Sequence, residues 1–192
     1  MLKEGDPNGK FWVPAMSDAP LRGSNGRHEW FWEPGDEDHI FPLENLMEMY
    51  YKSVGRNSTL IIGLTPDDNG LIPNPDVDRL KEWGDEINRR FSTPLASTYI
   101  GKDKILLKLE HPSLVNHVII QEDIRYGESI RKYQLEGLVD KKWIVLSTGE
   151  SIGQKRIENF ENVKVSKVRI KVIEADRNIR IKSMNAYFVA DK

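Results

Sequence analysis

The chain has 192 residues, of which 39% are hydrophobic and 30% charged, with a net charge of −2. These are the proportions of an ordinary globular protein, and the length allows one large domain or two small ones. The absence of cysteine excludes disulfides and thiolate zinc sites. No apolar run approaches the roughly 20 residues of a membrane-spanning helix, and the polar N-terminus lacks the apolar core of a signal peptide.

Charge is divided unevenly along the chain. Residues 1–95 hold 10 Lys and Arg against 17 Asp and Glu, whereas residues 96–192 hold 18 against 13. In the basic part the positive residues largely alternate with apolar ones, as in 168–172 and 179–182. Such alternation is typical of the solvent-facing side of a β-sheet. No nucleic-acid-binding motif accompanies it, so we expect no nucleic-acid partner.

The first predicted elements are a short strand and a long loop. Residues 11–15 (FWVPA) are an extended apolar piece with Pro14 at its end, where a missing donor costs little. Residues 16–39 have neither helical nor strand periodicity, yet contain Trp30, Phe31 and Trp32. A long loop that carries three consecutive aromatic residues is more often functional than a linker. The alternative is that the three rings belong to a core.

A helix, a tight turn and a buried strand follow this loop. The predicted helix has one apolar face, formed by Leu43, Leu46, Met47, Tyr50 and Val54. Gly55 stands where a left-handed C-terminal cap is expected. Residues 60–64 (LIIGL) form an apolar run of the kind buried on both faces of a parallel sheet, and 65–70 have turn chemistry. The loop after this strand lies where α/β proteins bind ligands.

A second helix is predicted next, and after it the period of the apolar residues changes to that of strands. The helix is predicted to begin at Asn74 as N-cap with Pro75 in its first turn, and Gly84 is expected to admit a close neighbour. One side of the helix carries Val77, Leu80, Ile87 and Phe91. After it, six runs alternate with a period of two, at 105–110, 117–122, 132–138, 142–146, 167–172 and 183–189. Such runs, separated by turn signals, predict a β-sandwich.

Two stretches resemble known families. Residues 50–57 (YYKSVGRN), the apolar strand, Pro66-Asp67 and Gly70-Leu71 are similar to the closing barrel segment of glycoside hydrolase family 29, the α-L-fucosidases. Residues 133–172 resemble, more weakly, a discoidin-like jelly roll, a galactose-binding-like domain that commonly follows that barrel. The resemblance implies an α/β then all-β chain. Residues 1–95 would be the C-terminal portion of a (β/α)8-type barrel, and 96–192 a β-sandwich domain.

The function implied by the resemblance is retaining exo-hydrolysis of α-L-fucosides from glycans. The family's nucleophile is an aspartate in a Trp-Phe-Asp-Gly type setting, and this sequence contains no such motif. We therefore expect the chain to begin after the nucleophile and to be inactive by itself, with a missing N-terminal barrel half as partner. The alternative is a carbohydrate-binding sandwich attached to a non-catalytic barrel remnant. No cofactor or metal is expected, and the family suggests a periplasmic or secreted location.

The resemblance also suggests site residues. In one branch of the family the acid/base glutamate follows Pro-Ala directly, but here that position is Met16. The nearest replacement is Glu29, because flanking indoles would desolvate its carboxyl and raise its pKa toward that of a useful acid. Glu33 is the second candidate. Trp30 matches the family's aromatic residue that packs on the fucose ring, and we assign His28 and Trp32 to substrate binding with it.

Further side chains leave two interpretations open. Arg22 and Arg27 could bind sugar hydroxyls, or could offset the acidic run 36–38. In the predicted sandwich, Tyr126, Tyr133 and Trp143 could form a sugar-binding platform, although Trp143 in an alternating strand also fits a core position.

Overall fold

The computed structural model describes residues 13–26, 30–99, 106–176 and 178–190. Within these ranges the elements are β1 (Ala15–Pro20), α1 (Leu43–Lys52), β2 (Ser58–Gly63), α2 (Asn74–Phe91), β3 (Ala96–Tyr99), β4 (Leu106–Glu122), β5 (Ile130–Val139), β6 (Lys142–Gly149), β7 (Arg156–Ala175) and β8 (Ile181–Tyr187). Short 3₁₀ turns lie at Glu37–His39 and Ile124–Tyr126. No helix in the described ranges has both the length and the apolar composition needed to cross a membrane.

The N-terminal part is a two-stranded parallel sheet covered by two helices. β1 and β2 pair with Ala15 opposite Ser58 and Pro20 opposite Gly63. The helices α1 and α2 cover one face of this sheet through a cluster whose buried members are Leu21, Leu46, Met47 and Trp83. On the other face Met16 is 68% exposed and Ile61 is 44% exposed. These two strands form an open sheet, and the described residues close no barrel.

The two strand predictions for this part are wrong in detail. β1 begins at Ala15, the last residue of the predicted strand, and its other residues lie in the segment predicted to have no regular structure; residues 11 and 12 of the predicted strand lie outside the described ranges. β1 escapes a hydrophobicity pattern because its sequence, AMSDAP, has no alternation of polar and apolar residues and Met16 is its only large apolar side chain. The Ser17 and Ser58 hydroxyls are 2.7 Å apart across the pair. β2 is covered on one face rather than two, since Thr59 and Ile61 point away from the helices.

The glycine and helix predictions also need correction. Left-handed backbone at the end of α1 falls on Asn57, with φ of 67°, rather than on Gly55. A Cβ on Gly55 would lie 2.5 Å from the Tyr51 carbonyl oxygen, so glycine is needed there for close approach. A Cβ on Gly84 would meet nothing within 4 Å, so among the described residues it has no close neighbour of the expected kind. In α2, Val77 is exposed and Trp83 occupies the buried position instead.

The C-terminal part is one six-stranded antiparallel sheet with the order β3-β8-β4-β7-β5-β6. Residues 106–110 of the first predicted run and the whole run 117–122 belong to a single strand, β4, which pairs with β7 through two bulges, and residue 105 lies outside the described ranges. β3 and the first half of β7 were not predicted. The sheet surrounds one apolar cluster drawn from four strands, including Val118, Leu135, Val168 and Met184. This arrangement is consistent with the predicted β-sandwich.

The two parts are packed against each other. Ile119, Ile157 and Tyr187 of the six-stranded sheet form a buried cluster with Tyr50, Tyr51 and Phe91 of the helices. The turn after α1 adds main-chain bonds to the edge of β7, with Asn57 N donating to Lys155 O and Ile157 N to Gly55 O, both at 2.9 Å. The helices therefore rest on the sheet through apolar contact and hydrogen bonds together.

Candidate functional site

The aromatic loop between β1 and α1 is closed at its base by main-chain hydrogen bonds. Gly23 N donates to His39 O at 2.8 Å, and Phe41 N donates to Leu21 O at 3.0 Å. Arg22 also forms an antiparallel bridge with Ile40. Because Leu21 N donates to Gly63 O, the closed base sits directly beyond the carboxyl end of β2. The loop is therefore compact, and its two ends are held together at the carboxyl end of the parallel strands.

A buried cluster of three charges sits under this loop. Arg22 is 1% exposed and forms a bidentate ion pair with Asp76, with Nε–Oδ1 at 3.1 Å and Nη2–Oδ2 at 2.5 Å. Its Nη1 also donates to Asp36, so one guanidinium joins the loop to the first turn of α2. Arg22 thus meets the acidic run, which was one of its two predicted roles. Buried charges persist only when paired and hydrogen-bonded in this way.

The Trp30 indole lies at the end of β2. A Cβ on Gly63 would be 2.9 Å from Cζ3 of Trp30, so the ring rests directly on that glycine. Trp30 is 44% exposed and Phe31 is 83% exposed, so within the described residues these two rings are not part of a core. Trp32 is half-buried, and its Nε1 has no hydrogen-bond acceptor within the described ranges.

The other predicted site residues are placed as follows. Arg27, His28 and Glu29 lie outside the described residues. Glu33 is exposed, and its backbone N–H donates to Asp36 at 3.3 Å. Within the described ranges no three His, Asp or Glu side chains are grouped as a metal site would require.

Sequence reasoning missed one carboxylate on the open face of the parallel sheet. Met16 and Asp18 alternate with half-buried residues of β1, so both project from the face opposite the helices. Asp18 lies nearer than Met16 to the carboxyl end of the strand and is exposed. No sequence signal could have found it, because exposure alternates along β1 whereas polar and apolar residue types do not.

A buried histidine connects the helices to the six-stranded sheet. His117 Nε2 is 3.1 Å from the Tyr51 hydroxyl, and its Nδ1 is 2.8 Å from Asn116 Oδ1. Arg90 donates to the same hydroxyl at 3.0 Å, so Tyr51 donates its proton to Nε2 and His117 is neutral. Burial, with the nearby Arg90 charge, lowers the pKa of His117 from 6.5 to about 4.

The predicted sugar platform of the sandwich does not form as proposed. Tyr133 is fully buried and donates to Glu158, and burial raises the pKa of its hydroxyl well above the usual value. Trp143 is half-buried beneath the Arg169 guanidinium, 4.0 Å from the ring centroid. Of the three predicted rings, only Tyr126 is exposed.

These features define an α/β protein with a closed aromatic loop at the carboxyl ends of its parallel strands and a β-sandwich-like sheet behind it. No protein-family model matches the chain. Alpha-L-fucosidase 1 of Arabidopsis thaliana is 29% identical over 211 residues, which cover 91% of this chain and 40% of that protein.

Solved structures give closer matches. A candidate α-L-fucosidase of Bacteroides thetaiotaomicron VPI-5482 is 57% identical with a TM-score of 0.94, over 98% of this chain and 44% of that one. A glycoside hydrolase 29 family member from an unknown rumen bacterium is 30% identical with a TM-score of 0.85, over 98% of this chain and 35% of that one. The chain belongs to glycoside hydrolase family 29, the α-L-fucosidases. It spans less than half the length of each of these relatives.

Proposed function

We propose that this chain is the C-terminal part of a retaining α-L-fucosidase that removes terminal fucose from glycans. Residues 1–95 would supply the last portion of a (β/α)8 barrel and 96–192 a jelly-roll domain. The observation that carries the proposal is the Trp30 indole, seated on Gly63 at the carboxyl end of the parallel strands and still 44% exposed. An indole face suits the apolar side of a sugar ring, and ligands of α/β barrels bind at this end.

The proposed chemistry needs two carboxyl groups, of which this chain would supply one. Glu29, beside His28 and Trp30, would protonate the leaving oxygen while a carboxylate from outside this chain attacks the anomeric carbon. A retaining enzyme holds the two groups roughly 5–5.5 Å apart, and water then hydrolyses the covalent intermediate with Glu29 acting as base. Trp32 would line the same pocket. No metal or cofactor takes part in these steps.

The missing strands are proposed to come from an N-terminal barrel half. This is supported by the exposed face of the two-stranded sheet, where the large apolar side chains of Met16 and Ile61 are accessible. Large apolar side chains on a sheet face are normally covered by another layer.

The test uses the isolated chain and a chimera. In the chimera, the segment that precedes the matched region of the B. thetaiotaomicron relative is fused to residue 1. We expect no hydrolysis of an aryl α-L-fucoside by the chain alone and measurable turnover by the chimera. Glu29→Gln should lower kcat of the chimera by about 10²-fold or more, whereas the matched variant Glu33→Gln should change it little. Turnover by the isolated chain, or an unchanged rate for Glu29→Gln, would contradict the proposal.

A second function is supported by Met16, which occupies the family position of the acid/base and cannot transfer a proton. Here the assembled barrel would bind sugar without cleaving it. The same chimera separates the two functions, because it would then bind fucose by calorimetry but show no turnover.

A further inference from the structure

A cleft of about 930 Å³ opens at one end of the six-stranded sheet, on residues that the proposed fucosidase site does not use. Its lining includes Tyr99 of β3, Gln121 of β4, Lys182 of β8, and Arg125 and Arg180 from the connecting segments. None of these residues lies in the aromatic loop or on the parallel sheet. The cleft is therefore a candidate binding site separate from the proposed fucosidase site.

The strand register shows that the base of the cleft and the two helices lie on the same face of the six-stranded sheet. Tyr99 is opposite Ser183, and Ser183 is opposite Gln121, so the three side chains form one row on one face. His117 and Tyr187 lie four residues along β4 and β8 on the same face, beneath α1 and α2. The helices thus cover one end of this face, and no described element covers the other end, where Tyr99 is 83% exposed.

The polar groups of the cleft are held in fixed positions. Ser183 Oγ donates to Gln121 Oε1, and Gln121 Nε2 donates to Gln154 O, both at 3.0 Å. The Arg180 guanidinium lies 3.9 Å from the centroid of the exposed Tyr126 ring. A stacked guanidinium loses less freedom when it binds an anion, since its plane is already oriented.

Positive charge exceeds negative charge in the cleft. Arg125 forms an ion pair with Asp123, with Nη2–Oδ2 at 2.6 Å, which leaves the charges of Arg180 and Lys182 without an equal number of acids in the lining. The remaining carboxylate, Glu122, is buried and accepts hydrogen bonds from the backbone N–H groups of Ser129 and Gly153 at 2.9 and 2.8 Å. Its charge is therefore directed inward, away from a ligand.

We propose that this cleft binds an acidic saccharide, that is, a sugar ring bearing a carboxylate or a sulfate ester. The exposed face of Tyr99 suits the C–H side of a pyranose ring. Arg180 and Lys182 would bind the anionic group, and Gln121 and Gln154 would bind hydroxyls. The site goes beyond the proposed fucosidase activity, because it requires neither a barrel nor turnover.

The proposal is tested by calorimetric titration of the whole chain with digalacturonic acid, galactose 6-sulfate and neutral galactobiose. We expect at least one acidic sugar to bind about tenfold or more tightly than galactobiose, and its affinity to fall with added salt. The acidic sugar that binds identifies the anionic group. Arg180→Gln should weaken binding about tenfold, and Tyr99→Ala should also weaken it. Lys171→Gln, which removes an exposed charge from β7 outside the cleft, should leave binding within twofold.

Melting curves for each variant establish whether the fold is retained; the hydrogen bond from Asp123 N uses the backbone carbonyl of residue 180, which Arg180→Gln keeps. Equal affinity for acidic and neutral sugars would overturn the proposal, as would wild-type affinity in Arg180→Gln. Absence of binding by both acidic sugars at millimolar concentration would also overturn it.

Discussion

The Arg22 guanidinium and the Asp76 carboxylate form a fully buried bidentate pair that joins the base of the aromatic loop to the first turn of α2. The two residues are 54 positions apart, yet both oxygens of Asp76 are used, with Nε at 3.1 Å and Nη2 at 2.5 Å. Since Asp36 binds the same guanidinium, the pair fixes the loop that carries Trp30 relative to α2.

Asp76→Ala is expected to destabilise the chain by about 3 kcal/mol, because the buried Nε and Nη2 donors of Arg22 lose their acceptors while Asp36 binds only Nη1. Urea denaturation followed by tryptophan fluorescence measures the change. The matched control is Asp78→Ala, two residues later on the exposed side of α2, which should stay within about 0.5 kcal/mol of wild type. Equal losses in the two variants would show that the ion pair contributes nothing specific.

Stability is expected to depend on pH through His117. Its pKa is about 4 in the folded chain and 6.5 in the unfolded chain, so below pH 6.5 the unfolded state binds more protons. The contribution of His117 is complete above pH 6.5 and is lost as pH falls toward 4, by up to about 3 kcal/mol.

This pH dependence is measured as the free energy of unfolding between pH 4 and 8, for wild type and His117→Gln. The difference in free energy of unfolding between wild type and His117→Gln should narrow as pH falls. Removing the exposed His111 by His111→Gln should leave the wild-type slope unchanged. A parallel offset between the wild-type and His117→Gln curves would mean that the histidine titrates alike in both states.

Gly63→Ala tests whether the Trp30 ring packs directly against Gly63. The new methyl group would lie 2.9 Å from Trp30 Cζ3, closer than side chains normally approach, so the ring must shift. We expect a loss of about 1 kcal/mol. In a Trp30→Ala background the same change should cost almost nothing, because the next atom, Pro20 Cα, is at an ordinary 3.8 Å. If a double-mutant cycle shows no coupling between the two substitutions, the loss of stability does not come from contact between residue 63 and the Trp30 ring.

Gly84→Ala is expected to stabilise the chain by about 0.5–1 kcal/mol. Gly84 lies inside α2, where glycine costs backbone entropy, and its added methyl group meets nothing within 4 Å. Gly153→Ala is the contrasting variant: Gly153 has φ of 59°, and a Cβ would lie 2.1 Å from Asn57 Nδ2. Thermal melting should move upward for Gly84→Ala and downward for Gly153→Ala, and a lower midpoint for Gly84→Ala would reveal a contact that the helix needs.

The sequence by itself determined the features that depend on near neighbours in the chain. Both helices were predicted because their apolar faces repeat every three to four residues, and most strands of the large sheet because their side chains alternate. The stretch from Tyr50 to Asn57 carried the family resemblance, and the relatives bear it out.

Tertiary structure decided what depends on residues distant in sequence. β1, which has no alternating pattern, is a strand because β2 offers it partners, and Gly55 is required because Tyr51 and Ile157 come close. The pairing of Arg22 with Asp76, and the burial of His117 beneath Tyr51, join residues 54 and 66 positions apart. A periodic pattern reports only which side of an element is apolar. It carries no information on which distant element covers that side, and that choice produces the buried charges and the exposed ring of this protein.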